Sequence, residues 1–263
     1  MTDRPAATFG APRALAVLQN GRRGVVELVL SRGMYLRFGE DWVGLSEPGA
    51  AFGPLSVVVT GLPEAAAGVP ARVVGATLIV GRSPVSLERV HERRCMALTH
   101  AWVPAGARNA RDARQAAART LATPPARLRA GVELLGSGEV AAAVAALAGL
   151  GEGLTPAGDD VLCGYAAAAV ASGLRSHVGV LARGRSSPLG LAYLRAAEQG
   201  ELPDVGAALL IALLLGSPPK AVAAARGLRS WGASSGTALG WGMLAVSPGP
   251  LGHGGCFSEA LLR

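Results

Sequence analysis

The residues best suited to chemistry lie in the segment 149–160, which reads Gly-Leu-Gly-Glu-Gly-Leu-Thr-Pro-Ala-Gly-Asp-Asp. Its glycines allow the backbone to approach a ligand closely and to adopt positive φ values. An apolar helix is predicted directly after it, and the start of a helix leaves several N–H groups without intrahelical partners. Such a loop can hold an anion or a polarised oxygen. The segment is therefore predicted to be a ligand-binding site.

Asp159 and Asp160 end this loop with two adjacent carboxylates. Like charges would repel a bare phosphate, so either a cation lies between them or they act on another part of the substrate. Asp159 is also a suitable N-cap for the following helix, which would leave Asp160 as an exposed residue without a chemical role. No cofactor is predicted, and a shared Mg²⁺ is the weaker alternative. Neighbouring helical residues point about 100° apart, so the ion would need further ligands, of which Glu152 could supply one.

The net charge of +7 could indicate a nucleic-acid partner. All the basic residues except Lys220 are arginines, however, and they are spread along the chain as in a GC-rich bacterial coding sequence. The densest run, residues 108–129, has no aromatic side chain that would stack on a base. A solvated helical face is favoured there, and no nucleic-acid partner is predicted.

Membrane insertion and export are not predicted either. The longest strongly apolar run, residues 205–215, is too short to span a bilayer, and the first residues lack an apolar segment of signal-peptide length. Cys95, Cys163 and Cys256 are far apart and lack Cys-x-x-Cys spacing, which argues against a disulfide framework or a structural zinc site. The sequence predicts a cytoplasmic protein with no membrane partner and no metal ligands.

The elements that must position the site change type along the chain. β-Branched runs separated by turn residues predict strands at 25–30, 34–38, 55–59 and 72–80, whereas 86–98 suits either a strand or a helix. Alanine-rich segments predict helices at 109–121, 126–135, 139–148, 159–172, 188–199, 205–215, 220–229 and 237–246. The predicted fold class is α+β, with an antiparallel β sheet or barrel domain at 1–104 and a mainly α-helical domain at 105–263.

Residues 161–174 form part of a predicted helix that is rich in alanine and glycine and nearly free of charge. Helices of this kind are buried on most sides, and their small side chains permit close packing. Such a helix suits the centre of the helical domain, with its N-terminal end open to a cleft. This arrangement would place Asp159 and Asp160 at the mouth of a site.

The pattern Gly-Leu-Thr-Pro-x-Gly-Asp-Asp at 153–160 resembles a motif of the family that includes the AllH-type subunit of oxamate carbamoyltransferase. Residues 53–59, 185–201 and 233–240 resemble other recurrent blocks of that family. The resemblance implies a subunit of a multi-component transferase of nitrogen or allantoin metabolism, which moves a carbamoyl group from carbamoyl phosphate to oxamate. A small-molecule substrate and other subunits of the complex are the implied partners.

The residue chemistry is compatible with this reaction. Asp159 or Asp160 could accept a proton from the attacking amide nitrogen, while N–H groups of the loop stabilise the developing oxyanion. Arginine and serine side chains before a helix predicted to begin at Pro188 could hold the phosphate. The predicted substrate-binding residues are Gly151, Gly153, Leu154, Thr155, Gly158, Arg183, Arg185, Ser186, Ser187, Ser234, Ser235 and Gly236. The four serines are equally ordinary N-cap candidates.

Two other functions remain open at this point. The chain could bind a small carboxylate or amide metabolite, or scaffold partner subunits, without catalysing a reaction. The other hypothesis is an arginine-rich nucleic-acid-binding protein, which would require a clustered basic face that the sequence does not indicate.

Overall fold

The computed structural model describes residues 5–98 and 107–246 of the 263-residue chain. The chain divides into two compact units, one ending at Cys95 and the other beginning at Met96. Each unit encloses its own cluster of buried apolar side chains. The first unit is built on a β sheet and the second on helices, so the predicted α+β fold class is confirmed.

The first unit is a curled, mostly antiparallel sheet made of the nine strands found among the described residues. Its elements are β1 (Ala7–Gly10), α1 (Pro12–Val17), β2 (Arg23–Leu30), β3 (Gly33–Phe38), β4 (Asp41–Ser46), β5 (Ser56–Val59), β6 (Pro70–Val74), β7 (Thr77–Val80), β8 (Ser83–Ser86) and β9 (His91–Glu92). The strand order is β8-β7-β6-β2-β3-β4-β5-β1-β9. The pairs β4–β5 and β1–β9 are parallel. The curl brings the Ser86 N–H to the Pro5 carbonyl at 3.0 Å, which gives the sheet the shape of a half-barrel.

The predicted strands at 25–30, 34–38 and 55–59 correspond to β2, β3 and β5. The single strand predicted at 72–80 is wrong, because the chain reverses there and forms the β6–β7 hairpin. Val74 pairs with Thr77 across a two-residue turn whose first residue, Gly75, has a φ of 56°. A positive φ at this position is what a tight hairpin turn requires and what glycine allows at little cost. The ambiguous segment 86–98 contains the short strand β9 and no helix.

The second unit is helical. Its helices are α2 (Ala107–Thr120), α3 (Ala126–Gly136), α4 (Val140–Leu147), α5 (Ala157–Ala171), α6 (Val178–Leu181), α7 (Pro188–Ala197), α8 (Asp204–Leu214), α9 (Pro218–Arg229) and α10 (Ser235–Ala245). Each of the eight predicted helices is present within two residues at either end. The short helix α6 was not predicted, because four residues are too few for a helical period to be visible in the sequence.

Helix α5 lies at the centre of this unit, and 12 of its 15 residues are buried, as its alanine-rich sequence predicts. Its closest neighbour is α10. A Cβ atom built on Gly164 would lie 2.0 Å from the carbonyl oxygen of Leu239, and one built on Gly242 would lie 1.9 Å from that of Val161. The two helices therefore touch backbone to backbone, which is possible because glycine has no side chain at either contact.

Candidate functional site

Pro156 determines where α5 begins. It occupies the N-cap position with φ −54° and ψ 141°, and its carbonyl accepts the N–H groups of Asp159 at 2.9 Å and Asp160 at 3.2 Å. These first-turn donors therefore need no capping side chain. The expectation that Asp159 caps the helix is wrong, because Asp159 lies inside the first turn and no side chain caps the helix.

The Asp159 side chain instead joins three segments of the chain. The residue is 1% exposed. Its Oδ1 accepts the Gly149 N–H at 2.8 Å, and its Oδ2 accepts the Ser187 N–H at 3.2 Å, with the Ser187 hydroxyl at 3.4 Å. Gly190 leaves room for this carboxylate, because a Cβ atom there would lie 2.2 Å from Oδ2. Asp159 therefore fixes the loop and the start of α7 to the first turn of α5.

Ser187 is the N-cap of α7, the role that the sequence offered as an alternative to substrate binding. Its Oγ accepts the Gly190 N–H at 2.9 Å, and its hydroxyl lies 2.5 Å from the Leu154 carbonyl oxygen, to which it donates. One side chain therefore satisfies an orphan donor of the helix and also anchors the loop. This places Leu154 of the predicted site beside the start of α7.

The Asp160 side chain, unlike that of Asp159, is not fully used in hydrogen bonds. Its Oδ2 is buried and has no hydrogen-bond partner among the described residues. Burial raises the pKa of Asp160 to about 7, and the negative charge of Asp159 adds to the rise. The interaction with the Ser235 side chain, on the first residue of α10, opposes it. A carboxyl group with a pKa near 7 can both release and accept a proton at neutral pH.

The first turns of three helices thus meet at the two aspartates. Asp159 contacts the N-cap of α7, and Asp160 interacts with the first residue of α10. In the loop beside them, the backbone N–H groups of 151–155 donate no hydrogen bond within the described part of the chain. The Gly158 N–H, a donor of the predicted site, is already used, since it donates to the Leu150 carbonyl at 2.8 Å. Helix N-termini and free loop donors together favour negative charge on a ligand.

The family model described as oxamate carbamoyltransferase subunit AllH matches residues 147–247. This part of the helical unit is similar to the AllH family. The match confirms the family predicted from the Gly-Leu-Thr-Pro-x-Gly-Asp-Asp motif, and it covers less than half of the 263 residues. The described contacts of Asp159 and Asp160 all lie within the AllH region, residues 147–247, whereas the sheet of the first unit lies outside it. No curated protein and no solved structure matches the chain.

Other predicted site residues of the AllH region have different surroundings. Arg183 is exposed. Arg185 brings its carbonyl oxygen to within 2.2 Å of where a Cβ atom of Gly149 would lie, whereas its guanidinium reaches the Ala145 carbonyl on α4 at 3.4 Å. Ser186 has a buried Oγ with no hydrogen-bond partner among the described residues. The backbone of 185–187 therefore lies at the site, while the two arginine side chains are on the surface.

The predicted residues at the start of α10 also differ in whether they lie at the aspartates or elsewhere. Ser234 is the exposed N-cap of α10, and its side chain makes no capping hydrogen bond. Gly236 packs against the end of α9, where a Cβ atom would lie 1.8 Å from the Leu228 carbonyl oxygen. Thr155, Gly151 and the exposed Gly153 remain in the loop beside the aspartates. Of the α10 residues, Ser235 alone has a described interaction with either aspartate.

Two glycines that position the site were not among the predicted substrate-binding residues, although Gly149 begins the predicted site segment. Gly149 adopts a φ of 75° and donates to Asp159 while lying against the Arg185 backbone. Gly190 leaves the space that the Asp159 carboxylate fills. Gly190 follows the capping serine by three residues, and a glycine in the first turn of a helix is a local signal of close approach.

Among the described residues, no group of three or more His, Cys, Asp or Glu side chains is arranged to hold a metal ion. Both oxygens of Asp159 already accept hydrogen bonds from N–H donors. Within 5–98 and 107–246, every helix is too short or too polar to cross a membrane.

We expect Asp159→Asn to destabilise the protein by about 3 kcal/mol. In either orientation of the amide, its NH₂ group faces an N–H donor, of Gly149 or of Ser187, that the carboxylate now satisfies. Urea unfolding at pH 7 measures the change, with Asp112→Asn as the matched control. Asp112 is exposed on α2, and its replacement should change the free energy of unfolding by less than about 0.5 kcal/mol. Equal effects of the two substitutions would contradict a joining role for Asp159.

Proposed function

We propose that this chain is a catalytic subunit of an enzyme that transfers the carbamoyl group of carbamoyl phosphate to the amide nitrogen of oxamate or a related acceptor. The AllH family match supports a subunit of such an enzyme. The observation that carries the proposal is Asp160, whose buried Oδ2 has no hydrogen-bond partner among the described residues and whose pKa is raised to about 7. That is the property required of a general base for a weakly nucleophilic amide.

In the proposed reaction, the amide nitrogen of the acceptor attacks the carbamoyl carbon and forms a C–N bond. The C–O bond to the phosphate then breaks, and phosphate leaves with the electron pair. The proton lost by the nitrogen passes to the Asp160 carboxylate, which later returns it to solvent or to phosphate. Asp159 is a positioning residue in this scheme, because its oxygens hold Gly149 and Ser187 and are not available to the substrate.

The negative charge that develops on the carbamoyl oxygen needs donors, and the loop offers them. The N–H groups of 151–155 are not used within the described part of the chain and lie beside the first turn of α5. Donors that are already in place stabilise an oxyanion without reorganisation in the transition state. Gly153 is exposed, and apart from its chain neighbours no described residue has an atom within 4 Å of where its Cβ would be, so a ligand can approach the loop there.

The phosphate is assigned to the start of α7. Ser186 contributes a hydroxyl without a partner among the described residues, and the N-terminus of this ten-residue helix adds a positive dipole end. Arg183 and Arg185 are exposed cations in the preceding turn, where they could attract a dianionic substrate. The Asp159 carboxylate lies at the same helix start, so the positive charges of the two arginines must offset its repulsion of the phosphate.

Phosphate release from carbamoyl phosphate tests the proposal. The chain is co-expressed with the proteins encoded beside it, and release is measured with and without oxamate and with and without this chain. We expect release that requires both oxamate and the chain. No release from any combination of folded proteins would overturn the oxamate reaction. Ligand-induced thermal stabilisation without turnover would instead favour the alternative of a non-catalytic metabolite-binding subunit.

A further inference from the structure

An apolar surface on the helical unit is formed by α4, α6 and the turn before α6, and Ala141 of α4 and Leu181 of α6 line one cavity there. On α4, the exposed residues are four alanines: Ala141, Ala142, Ala145 and Ala146. The neighbouring helix α6 exposes Val180 by 58% and Leu181 by 45%. Leu174, in the turn before α6, is 48% exposed. We call these seven residues the α4–α6 face.

The concentration of large apolar side chains here is unusual within the unit. Among its described residues, the exposed large apolar side chains are Met96, Leu174, Val180, Leu181 and Leu215. Three of these five lie within the eight residues 174–181. Single exposed leucines are ordinary, but a contiguous apolar patch on a folded domain marks a surface that another molecule covers.

A cavity of about 400 Å³ opens beside this face. Its walls include Val140 and Ala141 of α4, Leu181 of α6 and Tyr165 of α5. Arg175 and His177, both exposed, line its rim. Binding interfaces typically place an aromatic or aliphatic anchor from one partner in such a pocket of the other. The cavity can therefore hold one large side chain of a partner that binds the α4–α6 face.

The charges around the face are mainly positive. The segment 172–187 carries Arg175, Arg183 and Arg185 and has no Asp or Glu. The acidic side chains described beside it are Glu139, which lines the cavity, and Glu198, which accepts the Gly179 N–H of α6 at 2.8 Å. A polar rim of arginines around an apolar centre is the usual anatomy of a protein interface, and its charge selects a partner of opposite sign.

We propose that the α4–α6 face binds another protein subunit through an apolar anchor side chain flanked by carboxylates. A second copy of this chain fits less well, because a self-complementary contact would bring the same arginines together on a chain whose net charge is already +7. The proposal goes beyond the carbamoyl-transfer chemistry and depends only on the chain being a subunit. The acidic partner covers the seven apolar residues and pairs its carboxylates with the arginine rim.

Direct binding tests this surface. The full chain and each protein encoded beside it are purified separately, and the dissociation constant is measured by titration calorimetry at 50 and 300 mM NaCl. We expect Leu181→Asp and Arg175→Glu each to weaken binding at least 10-fold, and higher salt to weaken binding of the unmodified chain. Leu215→Asp and Arg226→Glu are the controls and should bind normally. Leu215 is also 45% exposed but lies at the end of α8, and Arg226 is exposed on α9.

Three results would overturn the proposal. Normal binding by both Leu181→Asp and Arg175→Glu would place the interface elsewhere. Self-association that Leu181→Asp abolishes would make the occupant a second copy. Failure of every neighbouring protein to bind the folded chain would remove the acidic partner. Because the measurement is binding and not turnover, it can succeed even where the carbamoyl-transfer reaction fails.

Discussion

Asp160→Asn is expected to lower kcat/KM for oxamate-dependent phosphate release by the assembled complex about 10²- to 10⁴-fold, the usual contribution of a general base. The amide of asparagine keeps the size of the carboxyl group but cannot accept the proton of the attacking nitrogen. In the unmodified complex, kcat/KM should fall as the pH drops below about 7, because Asp160 becomes protonated there. The variant should lose this dependence on pH.

The exposed Asp112 provides the control for this prediction, since Asp112→Asn makes the same chemical change on α2, outside the site. It should leave the rate and its pH profile unchanged. Full activity of an Asp160→Asn complex would show that the base lies elsewhere. A lowered rate that keeps the original pH profile would assign Asp160 to substrate binding instead.

The stability of the same variant should change in the opposite direction to its activity. The folded state holds the Asp160 proton more tightly than the unfolded state, since burial raises the pKa from 3.8 to about 7. The free energy of unfolding that this group contributes is therefore lost as the pH rises from about 4 through about 7. Asparagine carries no such penalty, so Asp160→Asn should be more stable than the unmodified chain at pH 8, by up to about 4 kcal/mol. The advantage should be smallest near pH 4.

Neighbouring aspartates with the same substitution are thus expected to behave differently at pH 8. Asp159→Asn removes an acceptor from N–H donors and destabilises, whereas Asp160→Asn removes a buried charge and stabilises. The sequence could not make this distinction, because both residues occupy the first turn of one helix. Their surroundings depend on Ser187 and Ser235, which lie 28 and 75 positions further along the chain than Asp159 and Asp160 respectively.

Local signals determined how much of the fold was predictable. Alanine-rich helices bounded by Gly and Pro were found within two residues because propensity and breakers agree along each segment. Strand β4 was missed, since Gly44 interrupts its apolar run and its place in the sheet comes from pairing with β3 and β5. The start of α5 was placed two residues late, because Pro156 and not Asp159 provides the N-cap.

Local signals also determined which contacts of the candidate site could be expected from the sequence. The loop and its two aspartates were visible as one continuous motif, and Ser187 as an N-cap. The direction of the Arg185 guanidinium, toward the Ala145 carbonyl, depends on how α4 packs and has no local signal. Gly190 has a local signal, because it is a glycine in the first turn of a helix. The sequence does not show, however, that the Asp159 carboxylate fills the space beside it.

The largest loss of stability is expected from Gly242→Ala, by about 3 kcal/mol or more. The new methyl group would lie 1.9 Å from the Val161 carbonyl oxygen and 2.8 Å from the Tyr165 nitrogen, both backbone atoms of α5 that cannot move aside as a side chain can. Helix propensity alone would favour alanine over glycine by up to about 1 kcal/mol, so steric conflict must reverse the sign. Urea unfolding measures the difference.

Gly227→Ala on α9 measures the effect of helix propensity on stability without the steric conflict expected at Gly242. Apart from the backbone of its own helix, no described residue has an atom within 4 Å of where its Cβ would be, and Gly227 is exposed in the interior of α9. It should stabilise the protein by about 0.5–1 kcal/mol. If Gly242→Ala also stabilised, α5 and α10 would not touch through their backbones. Ser235 lies at the start of the same helix α10 and lowers the pKa of Asp160, so a folded Gly242→Ala protein whose helices have separated should also show a shifted pH profile.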